Sequence, residues 1–311
     1  MEHRINFEDS FMSRQNRMRD WLDIDRIRNA HILVAGCGAV GAAMLVALVN
    51  SGAQDITCLD FDTLELSNFS RSSFLYRYPD DLGRTKADAA AQRAQAQMID
   101  GGKCLGIHAD ILTLGPEFFG RFDYVICCLD SMDGREHINQ MTRTLGIPLI
   151  ETGTNGLNAQ AQFFDQTGAC YLCNRPMITA VRPGESSCAF HFRRALEQGN
   201  IPATQLASTQ AATLALNLFL NHLCQKGERV NVHLQYDGRD LSLRTIGLNQ
   251  KPGCACADYT LPENTLRTDI HAGMKLADAL DVMQAAAGKQ LTLISEHTFA
   301  TNVQCPVCGV S

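Results

Sequence analysis

The sequence predicts an α/β fold, a doubly wound, Rossmann-like and mostly parallel sheet. Three observations carry that prediction. Short apolar runs alternate with helix-like stretches through the first half of the chain. The first run ends in a glycine turn, Gly36-Cys37-Gly38-Ala39-Val40-Gly41. The second ends in an acid, Asp60, about twenty residues further on, the spacing of a nucleotide-binding βαβ unit.

The elements follow in order. Residues 31–35 are apolar after His31 and read as a buried strand. The glycines come next, then an apolar helix to about residue 50, and a second strand over 55–60. A polar loop runs to about residue 84. The Ala- and Gln-rich stretch 86–98 is a helix by composition. Residues 104–109 read as a strand, and 122–129 as a strong buried strand ending at Asp130. A helix over about 134–145 precedes a strand at 148–150. Parallel strands need right-handed crossovers, so this alternation implies helices on both faces of the sheet.

The second half changes character. Residues 159–165 alternate as in a half-exposed strand. The stretch 179–199 holds Pro, Gly and Ser and reads as a loop with a short helix. Residues 204–224 are nearly uncharged and long enough for a buried helix. Residues 230–236 and 241–246 read as a hairpin joined at Asp237-Gly238. The tail, 263–311, forms a small appendix with a helix near 275–287 and a strand near 290–294. The division is therefore 1–262, with a nucleotide-binding core at about 28–165, and 263–311.

Bulk properties narrow the function. The net charge of −6 argues against nucleic acid or an anionic membrane as the main partner. No run of 18 apolar residues exists, and the first residues are charged, so a cytoplasmic protein is expected. Thirteen cysteines, an odd number, are not expected to form disulfides in a reducing compartment. Cys58, Cys127 and Cys128 sit in apolar runs as small core residues, and Cys37, Cys104 and Cys224 also read as structural.

The glycine turn has a physical reading. Gly36 permits the tight turn, Gly38 lets a phosphate approach backbone N–H groups at a helix N-terminus, and Gly41 allows close helix–strand packing. Asp60 stands where a carboxylate binds ribose hydroxyls. These features alone suit a nicotinamide-dependent oxidoreductase equally well. Asn68, Arg71 and Lys86, clustered after the ribose acid, instead suit a triphosphate, because Arg and Lys donate to phosphate oxygens. Asp130, at the carboxyl edge of the sheet, is placed to hold Mg²⁺ against phosphates.

On these motifs the chain resembles the MoeB/ThiF/HesA superfamily, the ubiquitin-activating-enzyme-like adenylyltransferases. The matching segments are Ser13-Arg14-Gln15, the glycine turn, Asp60-Phe61-Asp62-Thr63, Leu66-Ser67-Asn68-Phe69-Ser70-Arg71, Gly83-Arg84-Thr85-Lys86 and Cys128-Leu129-Asp130-Ser131. The likeness covers about residues 10–165 and continues more weakly to about 256. It departs from the family at Asn68-Phe69-Ser70-Arg71-Ser72, where Asn-Leu-x-Arg-Gln is commoner. The resemblance implies ATP-dependent adenylation of the C-terminal glycine of a ubiquitin-like or sulfur-carrier protein ending in Gly-Gly, by a homodimer. It implies that Gly36, Gly38, Ala39, Gly41, Asp60 and Asp62 cradle the nucleotide. It also implies that Asn68, Arg71 and Lys86 meet the triphosphate, that Asp130 holds Mg²⁺, and that Arg14 reaches the γ-phosphate of the partner subunit's site. A non-catalytic scaffold retaining the fold is the remaining alternative.

Seven cysteines are arranged differently. Cys170-x-x-Cys173, Cys254-x-Cys256 and Cys305-x-x-Cys308 are paired, and one structural tetrahedral Zn²⁺ takes two pairs. Cys170 and Cys173 occupy the first-pair position of zinc-containing family members. Ligand spacing favours Cys305 and Cys308 as the second pair, which would staple the C-terminal region. The resemblance favours Cys254 and Cys256. Cys188 lies where some relatives carry an acyl-accepting cysteine, and an incidental loop cysteine is the alternative reading.

Overall fold

A computed structural model describes residues 18, 20–72, 75–98, 101–174, 204–224, 231–254 and 274–287. The chain separates into two compact units, 1–260 and 261–311. In the first, a short helix α1 (Ile24–Asn29) leads into β1 (His31–Ala35), α2 (Ala39–Asn50) and β2 (Asp55–Leu59). A 3₁₀ turn at Leu66–Asn68 precedes α3 (Lys86–Gln95) and β3 (Lys103–Ile107). Next come a second 3₁₀ turn (Ile111–Thr113), α4 (Pro116–Phe119), β4 (Tyr124–Cys127), α5 (Met132–Leu145), β5 (Leu149–Asn155) and β6 (Asn158–Phe164). The unit ends with α6 (Tyr171–Asn174), α7 (Gln205–Leu223), β7 (Val232–Asp237) and β8 (Ser242–Gly247). The second unit contains α8 (Leu276–Ala287).

All eight strands share one sheet, in the order β3-β2-β1-β4-β5-β6-β7-β8. The first five are parallel and the last three run antiparallel to their neighbours. Both faces of the parallel half are covered. Along β1, Ile32 and Val34 face one apolar cluster with Met44, Leu45 and Leu48 of α2 and Phe219 of α7. Leu33 and Ala35 face the other, with Phe119, Val125, Ile138 and Leu149. A strand buried on both faces reads as an unbroken apolar run, which is why this segment was legible. Among the described residues no helix is long and apolar enough to cross a membrane.

Several boundaries differ from expectation. The strand expected at 122–129 is confined to Tyr124–Cys127, because its neighbour β1 stops at Ala35. The last ladder-like bond runs from the Cys128 amide to the Ala35 carbonyl, 2.7 Å, after which the chain turns toward α5. The strand expected at 148–150 runs to Asn155, extended by antiparallel pairing with β6 from Leu149↔Phe164 to Asn155↔Asn158. The helix expected over 86–98 ends at Gln95, and α5 starts two residues early, after Ser131. Local patterning did not reveal that β6, β7 and β8 continue the nucleotide-binding sheet. The loop expected at 179–199 and the strand near 290–294 lie outside the described residues.

Candidate functional site

Strand order reverses after β1, so the carboxyl ends of β2, β1 and β4 line one edge at the topological switch point. The glycine turn leaves β1 there. Gly36 has φ +93°, and a Cβ on it would lie 2.8 Å from the Cys128 carbonyl oxygen. A Cβ on Gly41 would lie 1.8 Å from the Gly36 carbonyl oxygen, so α2 can pack this closely only with glycine there. Gly38 differs: a Cβ on it would meet nothing within 4 Å. Gly38 is also the N-cap of α2, which starts at Ala39 with no side-chain cap. The first N–H groups of an uncapped helix are ready donors for an anion.

Asp60 follows β2 and is buried. Its Oδ2 accepts from the Cys37 amide at 2.7 Å and its Oδ1 from the Asp62 amide at 2.8 Å. Burial pushes the Asp60 carboxyl up, against the opposing pull of the Asp62 and Cys37 amides and the Lys86 charge. The Tyr76 hydroxyl, itself pushed up by burial, donates to the Cys37 carbonyl at 2.6 Å. Asp60 and Tyr76 therefore stitch the glycine turn to the segment that follows.

That segment doubles back on itself. Leu64 donates to Arg84 O at 2.8 Å, Gly83 to Leu64 O at 2.9 Å and Lys86 to Asp62 O at 2.8 Å, around a Thr63–Thr85 bridge. The Lys86 ammonium, at the start of α3, is thereby set against Asp62 Oδ2 at 2.7 Å. Asn68 is buried and its Oδ1 accepts from the Glu65 amide at 2.8 Å, closing the 3₁₀ turn. This leaves its Nδ2 as the group able to donate to a ligand. Arg71 follows that turn, partly exposed, with no ion pair among the described residues.

Sequence reasoning missed Asp81. Its fully buried carboxylate accepts from Arg77 N (2.8 Å), Arg84 Nη1 (2.9 Å) and Arg93 Nε and Nη2 (2.9 and 3.1 Å). Burial pushes this carboxyl up, but the Arg93, Arg77 and Arg84 hydrogen bonds outweigh it and hold the group below the usual carboxylate range. Asp81 thus anchors the Gly83–Lys86 strip to α3. The signal lay in Arg84 and Arg93, three and twelve residues on, a pattern that appears only once the loop folds back.

Asp130 is exposed, on the segment between β4 and α5, beside the glycine turn. Two further residues missed in the sequence stand behind it. Arg135 pairs with the buried Glu151 and donates to the Leu129 carbonyl.

The cysteines sort clearly. Cys37, Cys58, Cys127 and Cys224 are buried, and burial pushes the half-buried Cys128 up to about 12, as suits inert core thiols. Cys170, Cys173 and Cys254 converge, with all three sulfurs within 4.8 Å of one another. Cys170 Sγ lies 3.8 Å from Cys173 Sγ and 3.9 Å from Cys254 Sγ. Of the two second pairs expected, it is a member of the Cys254–Cys256 pair that the structure brings to Cys170 and Cys173. Arg14, Cys188, Cys256, Cys305 and Cys308 lie outside the described residues.

A sequence model described as the ThiF family matches residues 12–256. The chain belongs to the ThiF family. Relatives of this ThiF-family chain include SUMO-activating enzyme subunit 2 of Dictyostelium discoideum, 34% identical over 166 residues, 53% of this chain and 22% of that protein. The NEDD8-activating enzyme E1 catalytic subunit of Caenorhabditis elegans is 33% identical over 165 residues, 49% of this chain and 38% of that protein. Ubiquitin-like modifier-activating enzyme 5 of rice (Oryza sativa subsp. japonica) is 28% identical over 251 residues, 74% of this chain and 56% of that protein. The chain thus spans less than two thirds of these relatives. Among solved structures, E. coli MccB crystallised with ATP superposes with a TM-score of 0.65 at 18% identity, over 81% of this chain and 76% of that one. That likeness places the two in the same fold.

Proposed function

We propose that this ThiF-family chain uses ATP and Mg²⁺ to adenylate the C-terminal glycine carboxylate of a ubiquitin-like or sulfur-carrier protein. The observation that carries the reading is the carboxyl edge of the sheet, which carries an open Gly38, the buried Asp60 with Lys86 tied to neighbouring Asp62, and the exposed Asp130 after β4. Relatives named as SUMO- and NEDD8-activating enzymes support the substrate class.

The residues suit the reaction. Asp60, ordered by two backbone amides, would accept from ribose hydroxyls, while the α2 N-terminus and Gly38 receive phosphate. Lys86, Arg71 and the Asn68 amide would donate to the triphosphate. The substrate carboxylate attacks the α-phosphorus in line, forming the acyl–phosphate bond as the bond to pyrophosphate breaks. Such a reaction needs alignment and charge stabilisation rather than protein nucleophiles. Asp130, a hard oxygen donor with open surroundings, fits Mg²⁺, which supplies charge neutralisation on the phosphates. Lys86 leaves Asp62 or shares it when phosphate arrives, because a triphosphate offers the stronger anion. An oxidoreductase reading leaves Lys86, Arg71 and Asp130 without a joint role.

The Cys170, Cys173 and Cys254 sulfurs fit a structural Zn²⁺. Four thiolates at about 2.3 Å from a tetrahedral ion lie about 3.8 Å apart, against observed separations of 3.8 and 3.9 Å. Cys256 would supply the fourth ligand. The same reading makes the protein a cytoplasmic homodimer, with Arg14 acting across the dimer and Cys188 accepting the acyl group in a second step.

Pyrophosphate exchange into ATP tests the proposal, with candidate Gly-Gly-terminated small proteins and Asp130→Ala as control. Exchange that requires both the small protein and Asp130 supports adenylation. NAD binding without exchange overturns it, and an absence of any nucleotide binding leaves a scaffold.

A further inference from the structure

Asp130 stands on a segment that has left the sheet. β4 ends at Cys127 and α5 begins at Met132. The Cys128 amide bonds back to β1, Leu129 packs against the apolar cluster below the sheet, and Arg135, in the first turn of α5, adds side-chain hydrogen bonds. Its guanidinium donates to the Leu129 carbonyl through Nη2 and to the Thr152 carbonyl through Nη1, the latter at 2.8 Å. It also pairs with Glu151, which is 1% exposed. Glu151 accepts in addition from Gln162 Nε2 at 3.1 Å, and the Thr152 hydroxyl donates to the Cys127 carbonyl at 2.9 Å.

A carboxylate inside a sheet is strongly disfavoured without a cation and further donors. Here the cation does more than compensate. Reaching two carbonyls on different segments and one carboxylate together takes a planar group with several donors, which arginine has and lysine lacks. The carboxylate also matters to the outer side. With Glu151 cancelling the guanidinium charge, no net positive charge sits behind Asp130 to repel a divalent cation.

We propose that Arg135, held by Glu151, is the positioning residue of this site: it sets the Leu129–Asp130 backbone, and hence the carboxylate that receives the metal–nucleotide. The inference deepens the adenylation reading and rests on it for the metal. The clamp ends on the residue before Asp130, and that contact links the pair to the site.

The test uses the full chain and two variants. Arg135→Lys keeps the charge facing Glu151 but loses the fork. Glu151→Gln keeps shape and acceptor but leaves the guanidinium uncompensated. Mn²⁺ titrated in the presence of ATP, read by electron paramagnetic resonance, should bind about 10–100-fold more weakly to each variant, as when a group supporting a metal ligand is lost. Hydrogen exchange in the nucleotide-free protein should quicken across 128–131 in Arg135→Lys. Mn²⁺ affinity equal to wild type in folded variants, or unchanged exchange across 128–131, overturns the proposal. If wild type binds no Mn²⁺ with ATP, the adenylation reading fails by itself, and hydrogen exchange still decides whether Arg135 holds the segment.

Discussion

Gly38→Ala separates the fold from the site. In the nucleotide-free chain Gly38 has φ −71°, which any residue adopts, and a Cβ there meets nothing within 4 Å. The substitution replaces glycine with a poorer N-cap, costing about 0.5–1 kcal/mol, and removes unfolded-state freedom, returning about 0.4–1 kcal/mol. Stability should therefore stay within about 1 kcal/mol of wild type. Nucleotide binding should not survive as well. The space above Gly38 is where a phosphate would approach the first N–H groups of α2, and the new methyl occupies it. Losing one or two charge-assisted hydrogen bonds, each about 1.5–3 kcal/mol, amounts to about 3 kcal/mol, or about 100-fold in ATP affinity. Gly41→Ala is the contrasting control. Its Cβ would lie 1.8 Å from the Gly36 carbonyl oxygen, a backbone clash that only displacement of α2 relieves, so it should lose several kcal/mol of stability. Urea unfolding and isothermal titration with ATP read both quantities. Full ATP affinity in Gly38→Ala would refute the assignment of the open glycine to the phosphates, and wild-type stability in Gly41→Ala would refute the packing role of Gly41.

Two further outcomes follow from residues around the site. Asp81→Asn breaks a fully buried carboxylate away from Arg84 and Arg93, and should lower stability at neutral pH by about 3 kcal/mol in urea unfolding. Because the native carboxyl is held below its usual range, the stabilisation is complete above the unfolded pKa of about 4 and is lost as pH falls through the lower native value. The gap between wild type and variant should close in acid, and a gap that persists there contradicts the cause assigned. For the cysteine cluster, metal analysis should find about one zinc per chain. Cys254→Ser or Cys256→Ser should remove it while Cys305→Ser and Cys308→Ser retain it, and the reverse pattern would move the second pair to the tail.

Much of this molecule is written locally. Ile32 to Ala35 is apolar throughout because both faces of β1 are covered, and Gly36 and Gly41 are glycines because backbone oxygens stand where their side chains would go. The causes include distant groups, Cys128 over Gly36 and Phe219 over β1, but their imprint is a contiguous apolar run and glycines at fixed spacing, which can be read without coordinates. Asp81 and Glu151 leave no such imprint. Each is an ordinary acid in a string and becomes singular only when the chain folds back over it, bringing Arg93 to Asp81 and the cross-strand Gln162 to Glu151. The second cysteine pair is set by contacts that the string does not show. Spacing favours the two-residue knuckle at Cys305, whereas the 3.9 Å approach of Cys254 to Cys170 joins residues 84 apart, which spacing does not report.

One long-range device was in fact periodic. Arg135, Asn139 and Arg143 recur every four residues and so share one face of α5. Arg135 holds the Leu129 carbonyl. Asn139 Oδ1 accepts from the Tyr171 amide at 2.9 Å, and Arg143 Nη1 donates to the Gln166 carbonyl and, at 3.1 Å, to that of Gly168. The last two fix the approach to Cys170 and Cys173. A search for apolar periodicity passes over such a stripe, because its residues are polar even though Asn139 is fully buried. Yet the stripe spans α5 from its first turn to its last. One rigid helix registers the cysteine knuckle at its far turns and the Asp130 segment at its first. A polar residue buried for its backbone contacts cannot be replaced by an apolar one of equal size without orphaning the carbonyls and amides it serves. The stripe therefore constrains the sequence through the backbone groups it serves.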